Sequence, residues 1–173
     1  MSVVERLEDA YLMLQNGRHE GALNSVLTAI SGASRERYPR GTPSRQRPGD
    51  RMGDHEAFVT FFEDQIKLLR APNMRVRRPD GQELPLSSIL YTLFRCALTH
   101  EAGLTSGGTL VPDSKYGRVQ LKLTSLDPLG FEITHSTIVF LADLVSRAPE
   151  HHVATADILA RIMSRLPIHP SEL

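Results

Sequence analysis

The sequence has very little cysteine, very little lysine and no long apolar run. Only one of its 173 residues, Cys96, is a cysteine, so no internal disulfide can form, which fits a reducing compartment. No apolar run approaches the roughly 18 residues that a membrane-spanning helix needs. The acidic beginning, MSVVERLEDAY, has no signal-peptide core. We therefore expect a cytoplasmic protein that does not cross a membrane.

The sequence also lacks the short motifs that hold common cofactors. It contains no Walker phosphate-binding loop, no G-x-G-x-x-G segment and no zinc ribbon. Its seven histidines are scattered, and the adjacent His151 and His152 have no partner at a metal-ligand spacing. We therefore expect neither a cofactor nor a structural metal.

Charge is balanced over the whole chain but not along it. Twenty Lys plus Arg face twenty Asp plus Glu, which excludes a uniformly basic nucleic-acid binder. Residues 35–78 nevertheless carry eleven cations and six anions, a net charge of +5, whereas residues 1–34 and 79–173 carry −2 and −3. Seventeen of the twenty cations are arginine, the side chain best suited to bidentate phosphate contacts. The neutral total thus leaves room for a local anion-binding surface.

Helical periodicity dominates the chain, whose length suits a single domain over residues 1–173. Apolar side chains at helical spacing predict six helices, at about 3–16, 19–38, 54–70, 86–101, 136–147 and 155–166. The first two are joined by a very short turn at Gly17, so we expect them to form an antiparallel hairpin. The fourth has a wide apolar stripe, and we expect it to be the most buried.

Two stretches rich in proline and glycine interrupt the helical pattern. Residues 38–53 hold three prolines, three glycines and four arginines, which predicts a mobile loop. Residues 71–85 form a second predicted loop, with a short strand near 74–77.

The pattern changes from helix to strand after the fourth helix. Alternating apolar and polar residues predict a strand at 119–124, and shorter strands are expected at 109–111 and 130–134. We expect the strand at 109–111 to pair with 119–124 across the turn PDSKYG, giving a β-hairpin insertion at 109–134. The predicted fold is mainly α, an up-and-down helical bundle with a small inserted β-hairpin.

Arg95 and His100 stand out in the fourth helix, within SSILYTLFRCALTHEAG. An arginine in a largely apolar helix is costly unless something pairs with it, and a histidine near a helix C-terminus is favoured in its protonated form. Such a pair suits phosphodiester chemistry, because Arg95 can hold the phosphate while His100 moves the proton of a 2′-hydroxyl or of the leaving oxygen. Residues five apart diverge by about 140° on an ideal helix, so a two-fold dimer is expected to complete the cleft.

Each of these residues also has a purely structural interpretation. Arg95 would pair with a buried acid or a carbonyl, and His100 would cap the helix. Tyr91, one turn before Arg95, would either stack on a base or belong to a core or interface. Glu101 would either orient His100 or be a solvated acid. Cys96 is expected to be a small core residue.

The segment from Arg95 to His100 matches the R-x-x-x-x-H motif of the HEPN superfamily (higher eukaryotes and prokaryotes nucleotide-binding domain). LYTLFRCALTHEAG resembles the motif helix of that superfamily, and AYLMLQNGRHEGALNSVLTAISGASRERYP resembles its first helical hairpin. The order of two hairpin helices, a loop, a third helix and the motif helix fits as well. The resemblance covers residues 1–103.

The resemblance implies a metal-independent endoribonuclease that acts as a homodimer, with the arginine and histidine of both subunits at the interface. Many such proteins belong to toxin–antitoxin and other defence systems, so RNA and an antitoxin or other protein are the implied partners. Arg95 and His100 correspond to the family's catalytic pair. The residue after the arginine is often Asn or Asp in active members, and here it is Cys96. The alternatives are a non-catalytic module that binds nucleotide, RNA or protein, and a helical interaction protein with a coincidental motif.

Arginines in the two predicted loops form a second candidate surface. Flexible arginine-rich segments can follow an RNA backbone and become ordered on binding, and the alternative is a solvated loop without a ligand. The predicted RNA-binding residues are Arg40, Arg45, Arg47, Arg75, Arg77 and Arg78.

Overall fold

The computed structural model describes residues 2–68, 75–77, 83–100, 104, 108–113, 121–126 and 129–165, and the protein is mainly helical. The helices are α1 (Val3–Gln15), α2 (His19–Arg37), α3 (Asp54–Leu68), α4 (Leu86–Ile89), a π-helical segment (Leu90–Cys96), α5 (Ala97–His100), α6 (Ser136–Ser146) and α7 (His152–Met163). The strands are β1 (Arg75–Arg77), β2 (Glu83–Pro85), β3 (Gly108–Val111), β4 (Leu121–Leu126) and β5 (Leu129–Thr134). Across these ranges, no helix combines the length and apolarity that crossing a membrane requires.

Helices α1 and α2 form the predicted hairpin. Ser2 begins α1 with a capping box: its Oγ accepts a hydrogen bond from the Glu5 amide at 3.2 Å, and Glu5 Oε2 accepts one from the Ser2 amide at 2.6 Å. Gly17 makes the turn at a φ of +68°, a conformation that glycine adopts without strain. Leu7 and Leu23 are fully buried, so the apolar stripes of the two helices do face the core.

Helix α6, not the fourth predicted helix, is the most buried. Nine of its eleven residues are buried, and it packs against α2, α3, α7 and β5. A helix that is enclosed on every side needs small or apolar residues around its whole circumference. The four consecutive residues from Ser136 to Val139 point to all sides of the helix, and all four are buried.

The predicted fourth helix is interrupted by π-helical geometry. Segments α4, Leu90–Cys96 and α5 follow one another without a gap, and we call residues 86–100 the motif helix. Leu90 and Phe94 are fully buried, as the apolar stripe predicts, but Leu93 is only half-buried. A π-helical turn is rare and often marks a functional site.

The predicted pairing of the strand at 109–111 with 119–124 is wrong. In the structure β5 is the central strand, parallel to β3 and antiparallel to β4. Leu126 pairs with Leu129, so a very short connection makes β4 and β5 a hairpin and leaves only the far edge of β5 for β3. The strand predicted at 130–134 is present as part of β5.

The first predicted loop contains little regular structure, whereas the described residues of the second lie in two short strands. In residues 38–53 the only pairing is an isolated antiparallel bridge between Pro43 and Arg51. Strand β1, expected near 74–77, pairs with the unpredicted β2 as a two-stranded ribbon. Helix α7 begins at His152, three residues earlier than predicted.

Candidate functional site

Arg95 lies in the π-helical segment and is half-buried. Its Cζ atom is 5.4 Å from the ring centroid of Tyr91, four residues earlier, which is a cation–π distance. Its Nε atom is buried, and no described residue accepts a hydrogen bond from it. Among the described residues no carboxylate lies within ion-pair distance of Arg95 either. A buried donor without an acceptor is costly, so a ligand that accepts a hydrogen bond there is favoured.

Arg95 forms one wall of a cleft of about 330 Å³, which we call the Arg95 cleft. Its other walls come from the beginning of α1, the second half of α2 and the beginning of α3. The lining residues with charge or an aromatic ring are Arg6, Arg35, Glu36, Asp54, Tyr91 and Arg95. Three arginines against two carboxylates give a net positive charge. The volume is at the lower end for a small-ligand site.

Arg35 is the most firmly held of the three cleft arginines. Its Nε donates to Asp54 Oδ1 at 2.7 Å, and its Nη1 donates to the Tyr38 and Met52 carbonyl oxygens at 3.3 and 3.2 Å. Arg35 and Arg6 are not among the site residues predicted from the sequence. Arg35 lies on the part of α2 that lines the cleft together with the motif helix. Predicting Arg35 as a site residue would have required knowing how these two helices pack.

Tyr91 joins the cleft to the core. It is half-buried, and its ring meets those of Phe58 and His55 edge-on, with centroids 5.2 and 4.9 Å away. Burial raises the pKa of the Tyr91 phenol, so the group stays neutral at physiological pH. Tyr91 therefore packs beside Arg95 on the same helix, as their predicted positions on one helical face require. His55, which contacts Tyr91, is not among the site residues predicted from the sequence.

The other predicted members of the site are placed only in part. His100 is the last residue of α5, and its side chain lies outside the described part of the protein. Glu101 also lies outside the described residues. Cys96 ends the π-helical segment as a half-buried free cysteine, so it is less buried than a core residue.

The four predicted RNA-binding arginines whose side chains are described do not line the Arg95 cleft. Arg40 is exposed on its loop. Arg45, Arg47 and Arg75 pair with Asp64, Asp50 and Glu83 at 3.6, 3.8 and 3.7 Å. Arg78 and the side chain of Arg77 lie outside the described residues.

The arginine-rich loop, expected to be mobile, is anchored to α3 by Glu56. This carboxylate is only 4% exposed, and it accepts hydrogen bonds from Ser44 Oγ at 2.8 Å and from the Arg45 and Gln46 amides at 2.7 and 3.2 Å. Burial raises the pKa of Glu56, but these hydrogen bonds outweigh it and the pKa is lowered. The loop is therefore folded against α3.

Two histidines stack at the opposite end of α2 from the Arg95 cleft. His19 and His135 stack with ring centroids 3.8 Å apart and planes 9° from parallel. Burial lowers the pKa of His135, as does the neighbouring His19. In the part of the chain that the structure describes, no group of three or more metal-ligating side chains has a geometry suited to a metal.

No protein-family model, curated protein or solved structure matches the chain. Function is therefore inferred from the chemistry of the site and from the resemblance of its motif.

Proposed function

We propose that this chain is a HEPN-like protein that binds and cleaves RNA through Arg95 and His100. One observation carries the proposal: Arg95 lines a positively charged cleft, and its buried Nε–H has no hydrogen-bond acceptor among the described residues. A phosphate oxygen would accept that hydrogen bond and meet the charge of the guanidinium. The helix order before the motif and the rare π-helical geometry around Arg95 also support the proposal.

In the proposed reaction the 2′-hydroxyl oxygen attacks the adjacent phosphorus and the bond to the 5′ oxygen breaks. His100 takes the proton of the attacking hydroxyl or gives one to the leaving oxygen, and Arg95 stabilises the charge that develops on the phosphate. The products are a 2′,3′-cyclic phosphate and a 5′-hydroxyl. As the resemblance implies, the reaction uses no metal.

A homodimer is part of the proposal. As the resemblance implies, Arg95 of one protomer and His100 of its partner would share a cleft at the dimer interface. A role in a toxin–antitoxin or other defence system, with a protein antitoxin as partner, follows from the same resemblance. Arg40 and the paired loop arginines remain proposed RNA contacts.

The test is RNA cleavage in the presence of a chelator by the wild-type protein, Arg95→Ala and His100→Ala. Arg147→Ala is the control, because Arg147 is an exposed arginine on the end of α6 that pairs with Asp143 at 2.8 Å. We expect the wild type and the control to cut, and both motif variants to lose at least about 100-fold in rate. Equal cutting by all four proteins, or cutting by none, would refute the enzymatic proposal.

The second candidate is a non-catalytic module that binds a nucleotide. It is favoured by the Arg95 cleft itself, which is formed by one chain and has the volume of a small-ligand site. Cys96, in the position that is often Asn or Asp in active HEPN proteins, points the same way. Binding of a mononucleotide that is lost in Arg95→Ala, by a protein that cuts no RNA, would favour this candidate.

A further inference from the structure

Within the Arg95 cleft the three arginines differ in how they are held. Among the described residues Arg95 has no ion-pair partner. Arg6 lies 3.8 Å from Asp9, one turn along α1. Arg35 is held on both sides, by two backbone carbonyls and by Asp54. Only Arg35 is therefore fixed in advance in a single orientation.

The two sides of the Arg35 guanidinium have different partners. Nη1 faces the carbonyl oxygens of Tyr38 and Met52, which belong to the fold and cannot leave. Nε and Nη2 face one carboxylate oxygen of Asp54, and that side chain is 67% exposed. The Nε and Nη2 edge is the pair of donors that binds phosphate in a bidentate way. An exposed carboxylate is held weakly, so another anion can replace it.

Two of the three hydroxyl groups on the α2 wall, those of Ser31 and Ser34, have already donated their protons. Ser31 Oγ donates to the Leu27 carbonyl at 3.0 Å, and Ser34 Oγ donates to the Ser31 carbonyl at 2.8 Å. Neither hydroxyl has a proton left for a phosphate oxygen. Arg35 is the cation that this wall offers to an anion.

We propose that Arg35 is a second phosphate-binding residue, and that Asp54 occupies its binding edge until an RNA phosphate displaces it. The inference rests on the proposed function and specifies it further. If Arg95 holds the scissile phosphate, Arg35 holds another phosphate of the same strand in the same cleft. Asp54 acts as an internal competitor that weakens binding of short or poorly placed anions.

The test measures binding of 2′-O-methyl hexa-adenylate, which cannot be cleaved through its 2′ oxygen, at several salt concentrations. We expect Arg35→Gln to weaken binding about tenfold and to make the plot of log affinity against log salt shallower by about 0.7, the value for one phosphate on a single strand. We expect Asp54→Asn to tighten binding several-fold. This gain is informative because a misfolded variant does not bind more tightly.

Matched controls come from the Arg147 and Asp143 pair on α6, which has the same charges and a 2.8 Å contact. Arg147→Gln and Asp143→Asn should change neither the affinity nor the salt dependence. If Arg35→Gln and Asp54→Asn behave like these controls while Arg95→Gln loses binding, the inference fails and the proposed function stands. If Arg95→Gln also binds like the wild type, the proposed function fails too.

A separate arm uses adenosine monophosphate to identify the source of the phosphate. Under the proposal, this nucleotide binds weakly, and the salt dependence of hexa-adenylate binding depends on Arg35. If instead Arg35→Gln abolishes binding of the mononucleotide and leaves the salt dependence of hexa-adenylate unchanged, the site holds a free nucleotide. That result would overturn the assignment to an RNA strand.

Discussion

Arg37 and Glu150, 113 residues apart in the sequence, form a bidentate ion pair. Arg37 Nε donates to Glu150 Oε1 and Arg37 Nη2 donates to Glu150 Oε2, each at 2.7 Å. The guanidinium also lies 4.7 Å from the ring centroid of Phe61. The pair ties the end of α2 to the connection between α6 and α7, and so fixes the end of α2 that carries Arg35 and the Arg95 cleft.

Removing this pair should destabilise the protein in a pH-dependent way. Hydrogen bonds from Arg37 lower the pKa of Glu150 from 4.5 to about 2. Because the folded pKa is the lower one, the stabilisation is complete above about pH 4.5 and is lost as the pH falls towards 2. We expect Glu150→Gln to lower the free energy of unfolding by about 1 kcal/mol at pH 7, since Glu150 is partly exposed.

Urea unfolding at pH 7 and pH 3 checks this, and the difference between wild type and Glu150→Gln should narrow at pH 3. Asp157→Asn is the control, because Asp157 is 86% exposed in its pair with Arg161. A difference of the same size at both pH values would show that the ion pair is not its cause.

Glu56→Ala should release the arginine-rich loop from α3. Three hydrogen bonds to a nearly buried carboxylate are lost, and two backbone amides lose their acceptor. Trypsin cuts after arginine unless a proline follows, so we expect cleavage after Arg45 to become about tenfold faster, whereas Arg47 is protected by Pro48. Glu63→Ala, the same change elsewhere on α3, is the control. The anchoring role would be contradicted if both variants were cut at the wild-type rate.

Tyr91 should act on RNA binding through its ring and not through its hydroxyl. In Tyr91→Phe the ring still lies beside Arg95, and we expect an unchanged affinity for hexa-adenylate. In Tyr91→Leu the cation–π contact is lost and Arg95 loses its support, so affinity should fall about threefold to tenfold. Fluorescence titration of the two variants with hexa-adenylate measures these affinities. A loss in Tyr91→Phe equal to that in Tyr91→Leu would assign the role to the hydroxyl.

Local patterns predicted the helices and the two cleft residues Tyr91 and Arg95. The other charged cleft residues, Arg35 among them, are brought there by contacts between segments distant in the sequence. The α1–α2 hairpin follows from apolar periodicity and Gly17, and the proximity of Tyr91 and Arg95 follows from their spacing on one helix. Arg35 and Arg95 line one cleft only because α2 packs against the motif helix, which no local pattern encodes. The π-helical segment changes the hydrogen-bond register and leaves the apolar composition as it was, so periodicity missed it.

Gly108→Ala should push β3 away from the motif helix. A Cβ at this position would lie 3.1 Å from the Leu93 carbonyl oxygen and 3.1 Å from the nearest atom of the Phe94 ring, and neither can move easily in the π-helical segment. We expect a loss of about 1–3 kcal/mol in the free energy of unfolding. Gly53→Ala is the control, because a Cβ there meets nothing within 4 Å. Equal stability of the two variants in thermal unfolding would exclude close packing at Gly108.

The stacked His19 and His135 should make stability fall as the pH drops below neutrality. The pKa of His135 is lowered by burial and by His19, while the nearby Asp113 raises it. Since the folded pKa lies below the ordinary 6.5, the unfolded chain takes up more protons, and stability is lost as the pH falls through 6.5. One such group changes the free energy of unfolding by at most about 1.4 kcal/mol per pH unit.

We expect His19→Phe, which keeps a stacked ring without a charge, to reduce this loss of stability between pH 8 and 5.5. His152→Phe, at an exposed position on α7, should keep the wild-type slope. If His19→Phe and His152→Phe lose stability equally steeply on acidification, the charge of His19 is not what opposes protonation of His135.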